Sequence, residues 1–173
     1  IFDRITAPVY IPTEQDYIMT SFNNQGIYRI KDVNDTDSVV LIDVGGGRLN
    51  DRKKWISVHG DNKIDIIVFT VAIADYNVET VDTGENRLHD SLSAFSFLLS
   101  QPKFKNLPIL LIMNQVELFS KKLKERNDLH LTFPEYTKGD DVEAAIEFIK
   151  DQFLSLSRGD ESMHESHIYC YQM

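Results

Sequence analysis

An aspartate followed by a run of glycines is the first feature of the sequence that could carry chemistry. Asp43 ends an apolar segment, and Gly45, Gly46 and Gly47 follow it within LIDVGGGRLNDRKKWI at residues 41–56. A carboxylate in this position can orient a water molecule on a metal ion, and adjacent glycines let backbone N–H groups approach a phosphate closely. A glycine-rich turn beside a solvated aspartate is the alternative interpretation. The phosphate-gripping motif G-x-x-x-x-G-K-[ST] does not occur in the sequence.

Strands must place these residues at one edge of a sheet if they are to act together. Segments 64–73 and 108–114 are nearly continuous apolar runs, which is typical of strands covered on both faces. Segments 26–33 and 38–44 flank the turn residues NDTD and predict an antiparallel pair. A last strand, HIYCY, is predicted near the end of the chain. Ligands bind beyond the carboxyl ends of strands in α/β folds. The candidate site segments are therefore Asp43 to Gly47, Asn114 to Glu117 and Cys170 to Gln172.

Amphipathic helices are predicted between and after these strands. Apolar residues recur at helical spacing over 85–100 and again over 141–156. Pro12 and a weak capping pattern predict a short helix over 12–20. Buried strands that alternate with helices predict an α/β fold with a mostly parallel sheet, and we expect all the strands to share that sheet.

Composition narrows the possible functions. The 173 residues are 42% hydrophobic, which is enough for one domain with a core. The net charge of −9 argues against a broad nucleic-acid surface, so no nucleic-acid partner is expected. Cys170 is the only cysteine, which excludes an internal disulfide. The sequence begins with Ile1 instead of Met, and we expect it to be part of a longer protein.

Five ordered motifs resemble those of heterotrimeric G protein alpha subunits. The glycine run with its RKKWI resembles the family's D-V-G-G-Q-R followed by R-K-K-W-I. FDRITAPVYIPTEQD at 2–16 resembles L-D-R-I-x-x-x-x-Y-I-P-T-x-x-D, and ENRLHDSLSAF at 85–95 resembles E-N-R-M-H-E-S-L-x-L-F. LLIMNQVELF at 110–119 resembles I-L-F-L-N-K-x-D-L-F, and HIYCYQ at 167–172 resembles H-x-T-C-A-T. The likeness spans residues 2–172 in order.

The resemblance implies an α/β, Ras-like P-loop GTPase fold with a mostly parallel sheet and helices on both faces. In this alignment residues 1–20 are the tail of the helical domain and a linker, and residues 21–173 are an incomplete Ras-like domain. The family's first strand, P-loop and last helix are expected outside this sequence. The implied cofactors are GTP or GDP and Mg²⁺.

The resemblance also implies a set of site residues. Asn24 and, through water, Asp43 are the implied metal ligands. The implied nucleotide contacts are Asp43, Val44, Gly45, Gly46, Gly47, Asn114, Gln115, Glu117, Cys170 and Tyr171, together with Ile18, Met19, Thr20, Ser21, Phe22, Asn23 and Asn24.

Two catalytic side chains of the family are replaced in this chain. The arginine that neutralises charge on the transferring phosphoryl group aligns with Ser21, and the glutamine that orients the attacking water aligns with Gly47. Serine cannot reach that charge and glycine has no side chain, so hydrolysis of GTP is predicted to be weak or lost.

The guanine-reading motif N-K-x-D is also altered. Asn114 is kept, the lysine becomes Gln115 and the aspartate becomes Glu117. Glutamate can still pair with the guanine N1–H and amino group if its extra methylene is accommodated. Tyr171 replaces a small alanine beside the base and is expected to crowd it.

Arg52, Lys53, Lys54 and Trp55 match the family, and the resemblance implies that they bind a G protein βγ dimer or an effector. A G protein-coupled receptor is the implied upstream partner, at the cytoplasmic face of the plasma membrane. One hypothesis is therefore a signalling switch with weak GTPase activity. A second is a pseudo-GTPase, an interaction module that keeps the switch surface without nucleotide turnover. A third is a truncated relative with no biochemical role.

Overall fold

The computed structural model describes residues 26–31, 38–45, 52, 55–56, 64–80, 83–158 and 168–173. The chain divides into two compact units, Ile1–Trp55 and Ile56–Met173. The predicted helix at 12–20, the predicted turn at 34–37 and the predicted boundary after residue 20 lie outside the described residues.

The first unit contains a pair of antiparallel strands, as predicted. Strand β1 (Gly26–Lys31) pairs with β2 (Ser38–Asp43) along its whole length, from Gly26 opposite Asp43 to Lys31 opposite Ser38. The register places Ile30 opposite Val39 and Tyr28 opposite Leu41, and pairs that contain β-branched or aromatic residues favour strand pairing. The register leaves Asp43 at the very end of β2, directly before Val44 and Gly45.

The second unit contains three parallel strands in the order β3-β4-β5. Strand β3 is Ile67–Ala72, β4 is Ile109–Asn114 and β5 is Ile168–Gln172. Parallel neighbours need a crossover connection, and helices supply it here. The expectation that all strands share one sheet is not met in the described residues, where β1 and β2 pair with each other and β3 pairs with β4. Hydrophobic periodicity identifies a strand but does not determine its neighbour.

Four α-helices lie in the described part of the second unit. The predicted helices are confirmed as α1 (Arg87–Leu99) and α4 (Val142–Arg158). Helix α1 begins where it does because the Asn86 side chain accepts hydrogen bonds from the backbone N–H groups of Leu88 and His89, at 2.9 and 3.2 Å. None of the described helices is both long and apolar enough to cross a membrane.

Helices α2 (Val116–Arg126) and α3 (Leu129–Thr132) were not predicted from the sequence. Val116, Phe119 and Leu123 recur at offsets of three and seven, which is a helical spacing, and Phe119 and Leu123 are buried. Asn127 caps the carboxyl end of the helix, because its left-handed backbone lets its N–H donate to the Leu123 carbonyl oxygen at 2.8 Å. The helical spacing begins within the motif LLIMNQVELF, which also contains the end of β4.

A cluster of phenylalanines forms part of the core between the parallel sheet of the second unit and helices α1 and α4. The ring of Phe69 on β3 meets Phe95 of α1 with centroids 5.0 Å apart, and Phe95 meets Phe153 of α4 at 5.5 Å. Both helical phenylalanines are fully buried. This packing holds β3 and β4 against the helices and so sets where the carboxyl ends of these strands lie.

Candidate functional site

The predicted phosphate sensor begins at the end of β2. Asp43 is exposed and lies opposite Gly26, and Gly45 is also exposed. Among the described residues, its two chain neighbours aside, no atom lies within 4 Å of a Cβ atom added at Gly45. None of these described residues fills the space beside this backbone, which leaves it open to a ligand. Gly46 and Gly47 lie outside the described residues.

Trp55 is hydrogen-bonded to the glycine run at the end of β2. The indole Nε1–H of Trp55 donates to the carbonyl oxygen of Gly45 at 3.2 Å, and the side chain is half-buried. Arg52 is only 2% exposed, so it would have to move to touch a partner. Lys53 and Lys54 lie outside the described residues. The partner-binding role of these four residues stays a prediction.

A second candidate segment, Asn114 to Glu117, joins β4 to α2. Asn114 is the last residue of β4, and Glu117 lies in the first turn of α2. Gln115 between them has φ 66° and ψ 35°, a left-handed conformation that is uncommon for residues other than glycine. Its N–H donates to the Asn114 side-chain oxygen at 2.8 Å. The tight turn therefore keeps both candidate base-reading residues at one strand end. We call Asn114–Glu117 the guanine-reading segment.

The end of β5 fastens this segment from the neighbouring strand. The Met173 N–H donates to the Met113 carbonyl oxygen, and the Val116 N–H donates to the Met173 carbonyl oxygen, both at 2.9 Å. Met173 was not predicted as a site residue, because the register of parallel strands cannot be read from the sequence. Gln172 lies opposite Met113 in that register.

Cys170 and Tyr171 lie within β5, opposite residues of β4 that come before the guanine-reading segment. Tyr171 pairs with Ile112, two residues before Asn114, and its side chain is 58% exposed. Cys170 is half-buried, and this burial raises the pKa of its thiol, although the Lys150 ammonium opposes the shift. A thiol with a raised pKa is a poor nucleophile, which fits a packing role for Cys170.

Comparison with known proteins identifies the family. The model of the family described as G-protein alpha subunit matches residues 2–173. The chain belongs to the G-protein alpha-subunit family. It is 38% identical over 169 residues to the guanine nucleotide-binding protein alpha-2 subunit of Dictyostelium discoideum, a match that covers 97% of this chain and 46% of that relative. The chain thus spans about half the length of the curated relative it matches.

Family membership makes guanine nucleotide the ligand to compare with these residues. Asn114 offers an amide, and Glu117 offers an exposed carboxylate. Guanine presents an N1–H and an amino group as donors, which a carboxylate can accept together. The described residues therefore fit the base.

The fit to Mg²⁺ rests on fewer groups. Within the part of the chain that the structure describes, no three His, Cys, Asp or Glu residues gather as a metal site. Asp43 is described and exposed, whereas Asn24 lies outside the described residues. Magnesium commonly keeps several waters and binds through one or two carboxylates and the phosphates of its substrate. Asp43 can supply one such carboxylate.

Proposed function

We propose that this chain forms the base-reading and switch part of a guanine-nucleotide-dependent signalling protein. The observation that carries the proposal is the guanine-reading segment. The left-handed turn at Gln115 and the two hydrogen bonds to Met173 hold Asn114 and Glu117 at the carboxyl end of a central strand. This is the place where ligands bind in α/β sheets.

In this proposal the carboxylate of Glu117 accepts hydrogen bonds from the guanine N1–H and amino group, and Asn114 supports the segment and the base edge. The exposed position of Glu117 on the first turn of α2 leaves room for its longer side chain to adjust. Gln115 lies under the base with a shorter apolar stem than a lysine.

The terminal phosphate of GTP is sensed by the glycine run after Asp43 in this proposal. Asp43 would hold Mg²⁺ through a water molecule, and the ion would neutralise phosphate charge. Open space at Gly45 supports a close approach of the phosphate to the backbone. The Ser21 side chain carries no positive charge, and Gly47 has no side-chain amide that could orient water. Bound GTP is therefore hydrolysed slowly.

The proposed partners are a βγ dimer, an effector and a receptor at the cytoplasmic face of the plasma membrane. The retained Arg52, Lys53, Lys54 and Trp55 support a partner surface. A pseudo-GTPase is the second candidate, because the catalytic positions are changed while this surface is kept. Nucleotide binding is the first test of the two candidates, because a chain that binds no nucleotide can neither switch on it nor turn it over.

The base contact can be tested in a chimera in which this chain replaces the matching part of the Dictyostelium discoideum alpha-2 subunit. The Glu117→Ala variant should bind GDP about 10- to 100-fold more weakly, because hydrogen bonds to a charged group contribute about 1.5–3 kcal/mol. Affinity for IDP, which lacks the amino group, should fall less. Titration with fluorescent analogues of both nucleotides measures the difference.

Glu143→Ala is the matched control for this experiment, because Glu143 is an exposed glutamate in the first turn of α4. It should leave both affinities unchanged. Equal losses for GDP and IDP in Glu117→Ala would contradict the assigned contact. A parent chimera that binds neither nucleotide would favour the pseudo-GTPase.

The partner surface can be tested separately with Trp55→Ala combined with Lys54→Glu. A large aromatic anchor can contribute ~2 kcal/mol or more to an interface, and a lysine at its rim speeds association with an acidic partner. Pull-down of a βγ dimer by the chimera should therefore be lost while the melting temperature changes little. Trp55→Phe keeps an aromatic ring and removes the N–H bond to Gly45, so it should retain binding. Collapse of the fold would show that Trp55 is a core residue instead.

A further inference from the structure

Residues 74–77, which we call the β3 turn, follow β3 and receive polar contacts from helix α2. The Lys122 ammonium donates to the Ala74 carbonyl oxygen at 2.8 Å and to the Asn77 side-chain oxygen at 3.3 Å. Ala74 is fully buried. A charged donor on a carbonyl shielded from water is a strong hydrogen bond that solvent cannot easily replace.

Tyr76 connects the β3 turn to Phe119 of α2 and to Asp128, which lies just beyond the carboxyl end of α2. Its ring is fully buried and meets Phe119 of α2 edge to face, with centroids 5.5 Å apart. Its phenol O–H donates to one carboxylate oxygen of Asp128, and the Asn77 amide donates to the other at 3.2 Å. Burial, followed by the hydrogen bond to Asp128, raises the pKa of Tyr76, so the phenol remains a donor.

Two further elements meet the backbone of the same turn. The Tyr76 carbonyl oxygen accepts a hydrogen bond from the Asn86 side chain, which caps α1, at 2.5 Å, and from the Thr132 hydroxyl of α3 at 2.7 Å. Helices α1, α2 and α3 are thus all attached to the four residues of the β3 turn, which is separated from the end of β3 by one residue. The bonds from α2 and α3 join residues 45 to 56 positions apart in the sequence.

Helix α2 connects this attachment to the guanine-reading segment. It begins at Val116, inside that segment, and ends at Arg126 beside Asp128. A helix of this length is about 16 Å long at 1.5 Å per residue and behaves as one rigid rod. Fixing its middle and far end therefore fixes the direction of its first turn, where Glu117 lies.

We propose that Lys122 and Asp128 are positioning residues that hold the guanine-reading segment in place by fastening α2 to the β3 turn. The inference rests on the proposed function of that segment. Lys122 contributes more than Asp128 to holding α2 in place. An open cleft of about 430 Å³, lined by Asn77, Asn86, Asp128 and Thr132, lets water reach the Asp128 side chain. Water can replace a lost bond to Asp128 there, whereas the Ala74 carbonyl oxygen is buried.

Amide hydrogen exchange on the chain itself tests the proposal without any nucleotide. Lys122→Met keeps the apolar stem and removes the ammonium. Exchange at the Val116 and Phe119 amides, which are bonded to Met173 and Gln115, should accelerate about tenfold, since local opening sets the exchange rate. Lys122→Arg should restore most of the protection. The milder Tyr76→Phe, which removes only the hydroxyl, should accelerate the same amides by a smaller factor.

Lys150→Met is the matched control, since it removes a lysine that pairs with Glu147 at 2.8 Å on α4. It should leave Val116 and Phe119 unchanged. The proposal is overturned if Lys122→Met leaves these two amides unchanged, or if it accelerates every amide of the second unit equally, which would be general destabilisation. Should Lys122→Met fail to fold, unchanged protection of the two amides in Tyr76→Phe overturns it.

The same Lys122→Met change in the chimera should speed GDP dissociation about tenfold. Faster amide hydrogen exchange at Val116 and Phe119 together with unchanged GDP dissociation would overturn the link to the nucleotide. A parent chimera that binds no GDP would instead refute the proposed function, and the exchange experiment would still decide whether Lys122 positions the segment.

Discussion

Replacing Ser21 with arginine and Gly47 with glutamine should raise the single-turnover rate of GTP hydrolysis in the chimera by ~10³-fold or more. The arginine would place positive charge where negative charge develops on the transferring phosphoryl group. The glutamine would orient the attacking water. Neither change touches Asp43 or Asn114, so GTP affinity should change much less than the rate. Rapid-quench hydrolysis and separate binding titrations measure the two quantities.

Gly47→Ala with Ser21→Lys is the control for this restoration. It adds a side chain and a positive charge at the same positions without the amide or the planar guanidinium, so most of the gain should be absent. Fast hydrolysis by the unchanged chimera would refute the assignment of Ser21 and Gly47 to the catalytic positions. A restored variant that binds GTP but reacts no faster would refute it as well.

Phe153→Ala should lower the free energy of unfolding of the second unit by about 3–5 kcal/mol, the usual cost of removing a buried phenylalanine. The Phe153 ring is fully buried, and it contacts both Phe95 and Phe69, with centroids 5.5 and 6.4 Å away. Its loss leaves a cavity between the two helices and the sheet. Urea denaturation followed by far-ultraviolet circular dichroism on the chain measures the change.

Leu131→Ala is the matched control, because Leu131 is also a large apolar residue but is 75% exposed. Surface substitutions usually change stability by less than about 0.5 kcal/mol. If the two variants were equally destabilised, the centre of the core would not lie at the phenylalanine cluster. Shrinkage of the cavity by local collapse would place Phe153→Ala at the lower end of the expected range.

The amino-acid sequence by itself determined the type of most elements and the family. Helical spacing predicted α1 and α4, and apolar runs predicted β3 and β4, because an element that buries one face must repeat its apolar residues with its own period. The turn residues between β1 and β2 predicted their antiparallel pairing. The ordered motifs placed Asp43 and Asn114 at strand ends, which the structure confirms.

Only the tertiary structure decided how these elements are fastened to one another. The left-handed backbone of Gln115, the attachment of Met173 to Val116, and the bonds of Lys122 and Asp128 to the β3 turn all depend on distant neighbours. Tyr76 and Asp128 are 52 residues apart in sequence. Periodicity reports which face an element buries, but hydrogen bonds between elements depend on register and crossing geometry. Register and crossing geometry are fixed only when the whole core packs together. In this protein they determine where Glu117 lies.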